Sequence, residues 1–177
     1  PEDPGGYFII NGSERVIVGL EDLSYNKIIV DTDKVGGKKI HKAKVYSSIV
    51  GYRAKLELIL KDDGLIVAKI PGSPVDIPVV TLIRALGLET NDEIINAVSL
   101  IDQIQAELES SFEKTEVNTS KDAIVYISKR IAPGMLEEFQ IKRAETLLDW
   151  GLLPHLGKHP ENRREKAQFL GEAACKL

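Results

Sequence analysis

The stretch 65–87, Leu65-Ile66-Val67-Ala68-Lys69-Ile70-Pro71-Gly72-Ser73-Pro74-Val75-Asp76-Ile77-Pro78-Val79-Val80-Thr81-Leu82-Ile83-Arg84-Ala85-Leu86-Gly87, holds the point where the hydrophobic period changes. At its start, residues 65–70 form a short apolar, β-prone run. Pro71-Gly72-Ser73-Pro74 then interrupts any regular element. Beyond the break, Pro78 suits the first turn of a helix, where a missing N–H costs nothing. Val79, Leu82, Ile83 and Leu86 then share one helical face before Gly87.

Working upstream, the residues read as β. Tyr7-Phe8-Ile9-Ile10 and Ser13-Glu14-Arg15-Val16-Ile17-Val18 flank Asn11-Gly12, a dipeptide that tolerates the positive φ of a type I′ hairpin turn. Further strands are expected at 27–31, 44–50, 54–60 and 65–70. The last two flank Lys61-Asp62-Asp63-Gly64, a second hairpin turn. The expectation is a meander of six strands over 7–70. Working downstream, Asn91-Asp92-Glu93 offers an N-cap with acids in the first turn, and Leu100, Ile101, Ile104 and Leu108 continue at helical spacing. Residues 121–130 and 136–150 read as two more helices around Ala132-Pro133-Gly134, and a loop over 151–162 leads to a final helix from about Arg163. Strands first and helices after predict an α+β fold, an N-terminal antiparallel β meander followed by a helical half.

Composition bounds what this fold can do. Hydrophobic residues at 43% and charged residues at 28% are ordinary globular values and argue against disorder. A net charge of −4 excludes a bulk electrostatic binder of nucleic acid, so any such contact needs a local patch. The single cysteine, Cys175, excludes an internal disulfide framework and any multi-cysteine metal site, and suggests a reducing, cytoplasmic setting. No apolar run reaches the roughly 18–20 residues that span a bilayer, so no membrane partner is expected. The chain opens Pro1-Glu2-Asp3-Pro4-Gly5-Gly6 without Met and closes inside a helical pattern at 169–177, which suggests a piece of a longer protein.

Charge is distributed unevenly. Between Lys34 and Lys55 there are six lysines (34, 38, 39, 42, 44, 55), Arg53 and no acid; between Ala85 and Glu113 there are seven acids (89, 92, 93, 102, 107, 109, 113) and no Lys or Arg. Lysines near a Gly36-Gly37 turn could present cations on a flexible tip suited to phosphate backbones. They could equally be a solvated strand edge that resists aggregation, and composition does not choose between the two. Lys129-Arg130 closes a predicted helix, where cations also favour the dipole. Arg15 follows the first hairpin turn, and Arg143 lies on a helix.

No convincing catalytic constellation emerges. Asp31-Thr32-Asp33 and Asp62-Asp63 are acid pairs at strand ends, where Asp is a routine turn residue. His155 and His159 stand four apart, but Pro154, Gly157 and Pro160 argue against the helix a metal pair would need. His41 reads as a surface strand residue and Cys175 as core. Gly36-Gly37 lacks the strand–loop–helix setting of a phosphate cradle.

Three blocks taken together resemble one family. Residues 5–16, GGYFIINGSERV, resemble a segment of the second-largest subunit of multisubunit RNA polymerases. Asp76-Ile77-Pro78-Val79-Val80 with Arg84-Ala85-Leu86-Gly87 resembles its DIP…RALG helix. Leu153-Pro154-His155-Leu156 with Lys166-Ala167 and Phe169-Leu170-Gly171 resembles its closing LPH…KA-x-FLG stretch. The blocks occur in family order and span essentially the whole chain, and their wording resembles the archaeal form more than the bacterial one. The resemblance implies the lobe of that subunit, a non-catalytic wall of the DNA cleft. Residues 1–20 would join the neighbouring protrusion domain, 21–162 would form the lobe, and 163–177 would return toward the protrusion. It implies a complex that makes RNA by nucleotidyl transfer, with Mg²⁺ held elsewhere in the assembly and no cofactor here. The implied partners are other polymerase subunits, DNA (downstream duplex or bubble) and initiation or elongation factors.

The candidate nucleic-acid residues on this reading are Arg15, Lys34, Lys38, Lys39, Lys42, Lys129 and Arg130; the candidate partner-docking residues are Glu89, Asp92, Glu93, Asp102, Glu107 and Glu109. Bacterial relatives are basic just before the DIP helix. This chain has Pro71-Gly72-Ser73-Pro74-Val75-Asp76 there, which argues against a DNA contact at that point. The alternative function is a protein-interaction module that docks a transcription factor without significant DNA binding of its own.

Overall fold

The computed structural model describes residues 5–35, 37–98, 112 and 117–177. The first hairpin pairs β1 (Phe8–Ile10) with β2 (Ser13–Arg15), and Asn11 at φ 51° and Gly12 at φ 76° supply the two positive φ values of the expected turn. It forms a sheet by itself. The main sheet is an antiparallel meander of five strands in sequence order: β3 (Ile28–Val35), β4 (Lys38–Ile49), β5 (Tyr52–Leu60), β6 (Ile66–Lys69) and β7 (Ile77–Pro78).

The sheet departs from the expected six-strand meander in two ways. The first hairpin stands apart, because none of its side chains has a core face to join: Phe8, Ile9 and Ile10 are each more than half exposed. A fifth main-sheet strand, β7, appears directly before the first helix, where Ile77 pairs with Ala68 and is fully buried.

Period-2 alternation gives the sheet its two faces. Ala43, Val45 and Ser47 on β4 and Ala54, Leu56 and Leu58 on β5 point into the core, while Lys42, Lys44, Lys55 and Glu57 point away. Against the inner face lies α1 (Val79–Ala85), all seven of whose residues are buried. It is buried on every side although it carries Thr81 and Arg84 among its apolar residues, which makes it the central helix of the core. Around it pack α2 (Asn91–Val98), α3 (Ser120–Ile131) and, after α4 (Glu137–Thr146), which lies on α3, the last helix α5 (Arg163–Cys175), with α3 and α5 directly against α1. Leu100, Ile101, Ile104 and Leu108 lie outside the described residues. The fold is α+β, the meander preceding the helices. Among the described residues no helix is long and apolar enough to cross a membrane.

The start of α2 differs from expectation. Thr90, not Asn91, caps it: Thr90 Oγ1 accepts from Glu93 N at 3.2 Å, and Glu93 Oε2 accepts from Thr90 N at 3.3 Å, a reciprocal capping box. Asn91 instead accepts through Oδ1 from the buried Arg84 guanidinium, which also donates to Val117 O. Burial alone lowers the Arg84 pKa.

The blocks behind the family resemblance have packing reasons. Leu153 takes a left-handed φ of 45° ahead of a 3-10 turn, and Ser47 Oγ lies 2.7 Å from His155 Nδ1, tying that turn to β4. Burial holds the His155 pKa below its ordinary value. A Cβ at Gly171 would meet the Ala97 carbonyl oxygen at 2.4 Å, so glycine is what lets α5 lie against α2.

Candidate nucleic-acid interface

The basic run occupies the β3–β4 hairpin, which is longer than expected. The two strands pair continuously from Ile28↔Val45 to Val35↔Lys38, yet β5 joins β4 only from Lys42 onward. Residues 32–35 and 38–41 therefore form a two-stranded arm beyond the edge of the sheet, about 13 Å long at the usual rise per residue. Gly37, at φ 84°, sits in its turn. The lysines expected on a flexible tip thus stand on paired strands.

Strand alternation then divides them between faces. Lys34 and Lys39 lie directly opposite each other, both exposed, on the face that nearer the body carries Ala43 and Val45. Lys42 and Lys44 leave from the other face, where acids meet them. Lys42 Nζ is 2.7 Å from Asp33 Oδ2, and Lys44 Nζ is 2.8 Å from Asp31 Oδ2. The Lys44 and Lys42 hydrogen bonds hold the Asp31 and Asp33 carboxyls below the usual carboxylate range, and Asp31 raises Lys44 in return. Lys55 is paired with Glu57 at 2.7 Å, and Arg53 lies 4.6 Å over the Tyr25 ring.

Among the described residues, Lys34 and Lys39 have no ion-pair partner. Lys38 pairs with Val35 in the ladder, and its side chain lies outside the described residues. Like charges placed directly across a strand pair cost stability, and among the described residues no carboxylate pairs with Lys34 or Lys39 to offset this.

The other candidates stand on separate elements. Arg15 ends β2 and is exposed. Lys129 and Arg130 are exposed in the last turn of α3, where the Arg130 guanidinium lies 3.6 Å over the Tyr126 ring. Of the acids, Glu89 accepts from Ser120 N at 3.2 Å, while Glu93 closes the α2 cap and lies 3.5 Å from Arg164. The Thr90 backbone bond lowers the Glu93 pKa. Two of the expected docking acids therefore serve the fold. Asp92 is exposed, and Asp102, Glu107 and Glu109 lie outside the described residues. Among the described residues no His, Cys, Asp and Glu side chains cluster as a metal site would require.

One charged cluster escapes sequence reading. Lys166 is fully buried and donates to Leu148 O at 3.0 Å and Asp149 O at 2.6 Å, while Arg163 grips the Asp149 carboxylate through Nε at 2.6 Å and Nη2 at 2.8 Å. Desolvation lowers the Lys166 pKa to about 8. In the sequence Lys166 is only a Lys within a block of resemblance, with nothing to say that its partners are carbonyls one helix away.

Known proteins share this sequence along its length. The family model described as RNA polymerase Rpb2, domain 2, matches residues 24–177. The DNA-directed RNA polymerase subunit Rpo2 of Saccharolobus shibatae is 44% identical over 178 residues, covering 100% of this chain and 16% of that protein. Subunit Rpo2N of Methanococcus vannielii is 42% identical over 178 residues, covering 98% of this chain and 36% of that protein. Rpo2N of Methanocaldococcus jannaschii is 42% identical over 174 residues, covering 97% and 35%. The chain thus spans 16% to 36% of the length of these relatives.

Proposed function

Because the chain belongs to the RNA polymerase Rpb2 domain 2 family, we propose that it forms a wall of the DNA cleft in a DNA-directed RNA polymerase, touching DNA through the β3–β4 arm. The observation that carries this reading is the facing pair Lys34 and Lys39, exposed and without an acidic partner among the described residues. Lys38 completes the arm's basic tip. Lys42 contributes less, since Asp33 already neutralises it. Arg15, Lys129 and Arg130 are secondary contacts on neighbouring elements. Nucleotidyl transfer belongs to the assembled enzyme, with Mg²⁺ held elsewhere in the assembly, and this chain acts as scaffold.

Fluorescence anisotropy on duplex and forked DNA tests the arm. Binding is expected to be weak and salt-sensitive. The triple reversal of Lys34, Lys38 and Lys39 to Glu should weaken it and flatten its log–log salt slope by about 2–3, roughly 0.9 for each phosphate no longer neutralised. An unchanged slope overturns the assignment of the arm.

The alternative, a factor-docking module acting through the acidic stretch 89–109, loses two of its residues to the fold, Glu89 and Glu93. Asp92 and the acids beyond the described residues remain open to it.

A further inference from the structure

Between the end of α3, the helix α4 and the β4–β5 turn lies a groove of about 470 Å³. Ile131 and Leu147 line it, together with Tyr52, Met135, Phe139 and Trp150. The last four are exposed at 43%, 45%, 57% and 54%. Four large apolar side chains gathered around one concavity are a different matter from single exposed residues, and on a solvated surface they mark a contact site.

The groove is built rigidly. Helix α4 ends in a π-turn, Leu147–Gly151, closed by Leu152 N donating to Leu147 O at 2.8 Å, and such turns recur at functional positions. Lys166 fastens the carbonyls of Leu148 and Asp149 from behind, and Arg163 holds the Asp149 side chain. A Cβ at Gly151 would sit 2.7 Å from Leu147 Cδ1, so a larger residue there would push the Leu147 side chain out of its place in the groove wall. A buried cation thus fixes the backbone carrying an exposed tryptophan. Such preorganisation lowers the ordering cost of binding.

Charge defines the ligand. Lys142 and Arg143 line the groove, and no carboxylate among the described residues does; Glu137, Glu138 and Glu145 of the same helix stay outside the lining. Lys158 Nζ lies 4.4 Å over the Trp150 ring, adding a third cation at the Trp150 end. Apolar walls with a cationic border suit an apolar segment that carries acids. Aromatic rings and cations also suit single-stranded nucleic acid. Ile131, Met135 and Leu147, however, offer no ring face to a base and fit aliphatic side chains.

We infer that this groove docks an acidic amphipathic segment of a partner protein, its apolar side chains seated against Phe139 and Trp150 and its carboxylates meeting Lys142 and Arg143. The site stands apart from the arm, and reversing Lys34, Lys38 and Lys39 leaves it unchanged.

Trp150 is the sole tryptophan of the chain and reports directly on the site. The probe is a synthetic acidic peptide with Phe and Leu at i, i+4 and i+7 spacing. Titration should shift the Trp150 emission to the blue and saturate. Arg143→Glu and Phe139→Ala, both at exposed positions, should each weaken binding about tenfold or more, as should replacing the peptide's Glu residues by Gln. Repeating the titration on the full-length subunit distinguishes a free groove from one filled by the rest of its own chain. The inference is overturned if no saturable shift occurs or if the Gln peptide or a scrambled one binds equally well. It fails too if either variant binds as the parent does, if the full-length subunit does not bind, or if a single-stranded oligonucleotide quenches Trp150 at lower concentration than the peptide.

Discussion

Lys166 carries its charge into the helical half and directs it at two backbone carbonyls. A buried ammonium costs free energy because water no longer solvates it, and the neutral form is favoured accordingly. Its pKa is about 8 in the folded chain against an ordinary 10.5. The unfolded chain therefore binds more protons between those values, and stability from this residue rises with pH across the window from 8 to 10.5. A Lys166→Met variant lacks that rise. Urea unfolding at about pH 8, 9 and 10 should show the parent gaining on the variant, by about 3 kcal/mol across the full window. A difference that does not change with pH contradicts the assignment. Asp31 and Asp33 give a pH slope of the same sign, in the acid range. Their lowered pKa values give stability that is present above the ordinary carboxylate range and lost as pH falls through the lowered values.

At the scale of elements, the arm shows how a strand sorts charge. A window starting at Lys34 contains only cations, but Asp31 and Asp33 lie just upstream and return across the hairpin to Lys44 and Lys42. Removing those acids should free two cations. Asp31→Asn with Asp33→Asn is expected to tighten DNA binding at low salt and to steepen the salt slope by about 1–2, read by the same anisotropy titration. Unchanged binding would place the outer face away from DNA.

The same hairpin marks where sequence reading succeeds and stops. Asn11-Gly12 and the break at 71–74 are legible because each is a local backbone requirement. The length of β3 and β4 is not, since Lys34, Lys38 and Lys39 break hydrophobic alternation although the ladder between them is intact. β7 escapes because two residues, one of them proline, carry no strand pattern. Thr90 is hidden because Asn91 next to it is an equally good cap by type, and only Arg84 withdraws it. The groove is hidden for a related reason. Phe139, Leu147 and Trp150 have the spacing of a core stripe, and nothing local says that part of this stripe faces solvent.

For the molecule as a whole, an inner sheet face and a fully buried helix make one core, from which the arm and the groove project different chemistries. The arm offers Lys34 and Lys39, without an ion-pair partner among the described residues, on a paired-strand stem; the groove offers apolar walls with a cationic border. A net charge of −4 would repel DNA from the surface at large, so the proposed DNA contact depends on such a local feature. The most direct measurement places a photo-crosslinking amino acid at position 39 in the assembled polymerase bound to a labelled transcription bubble, with position 92 as control. Crosslinks to DNA from position 39 and none from position 92 are the expected result. Crosslinks from position 39 to protein alone would contradict the arm's place against the DNA.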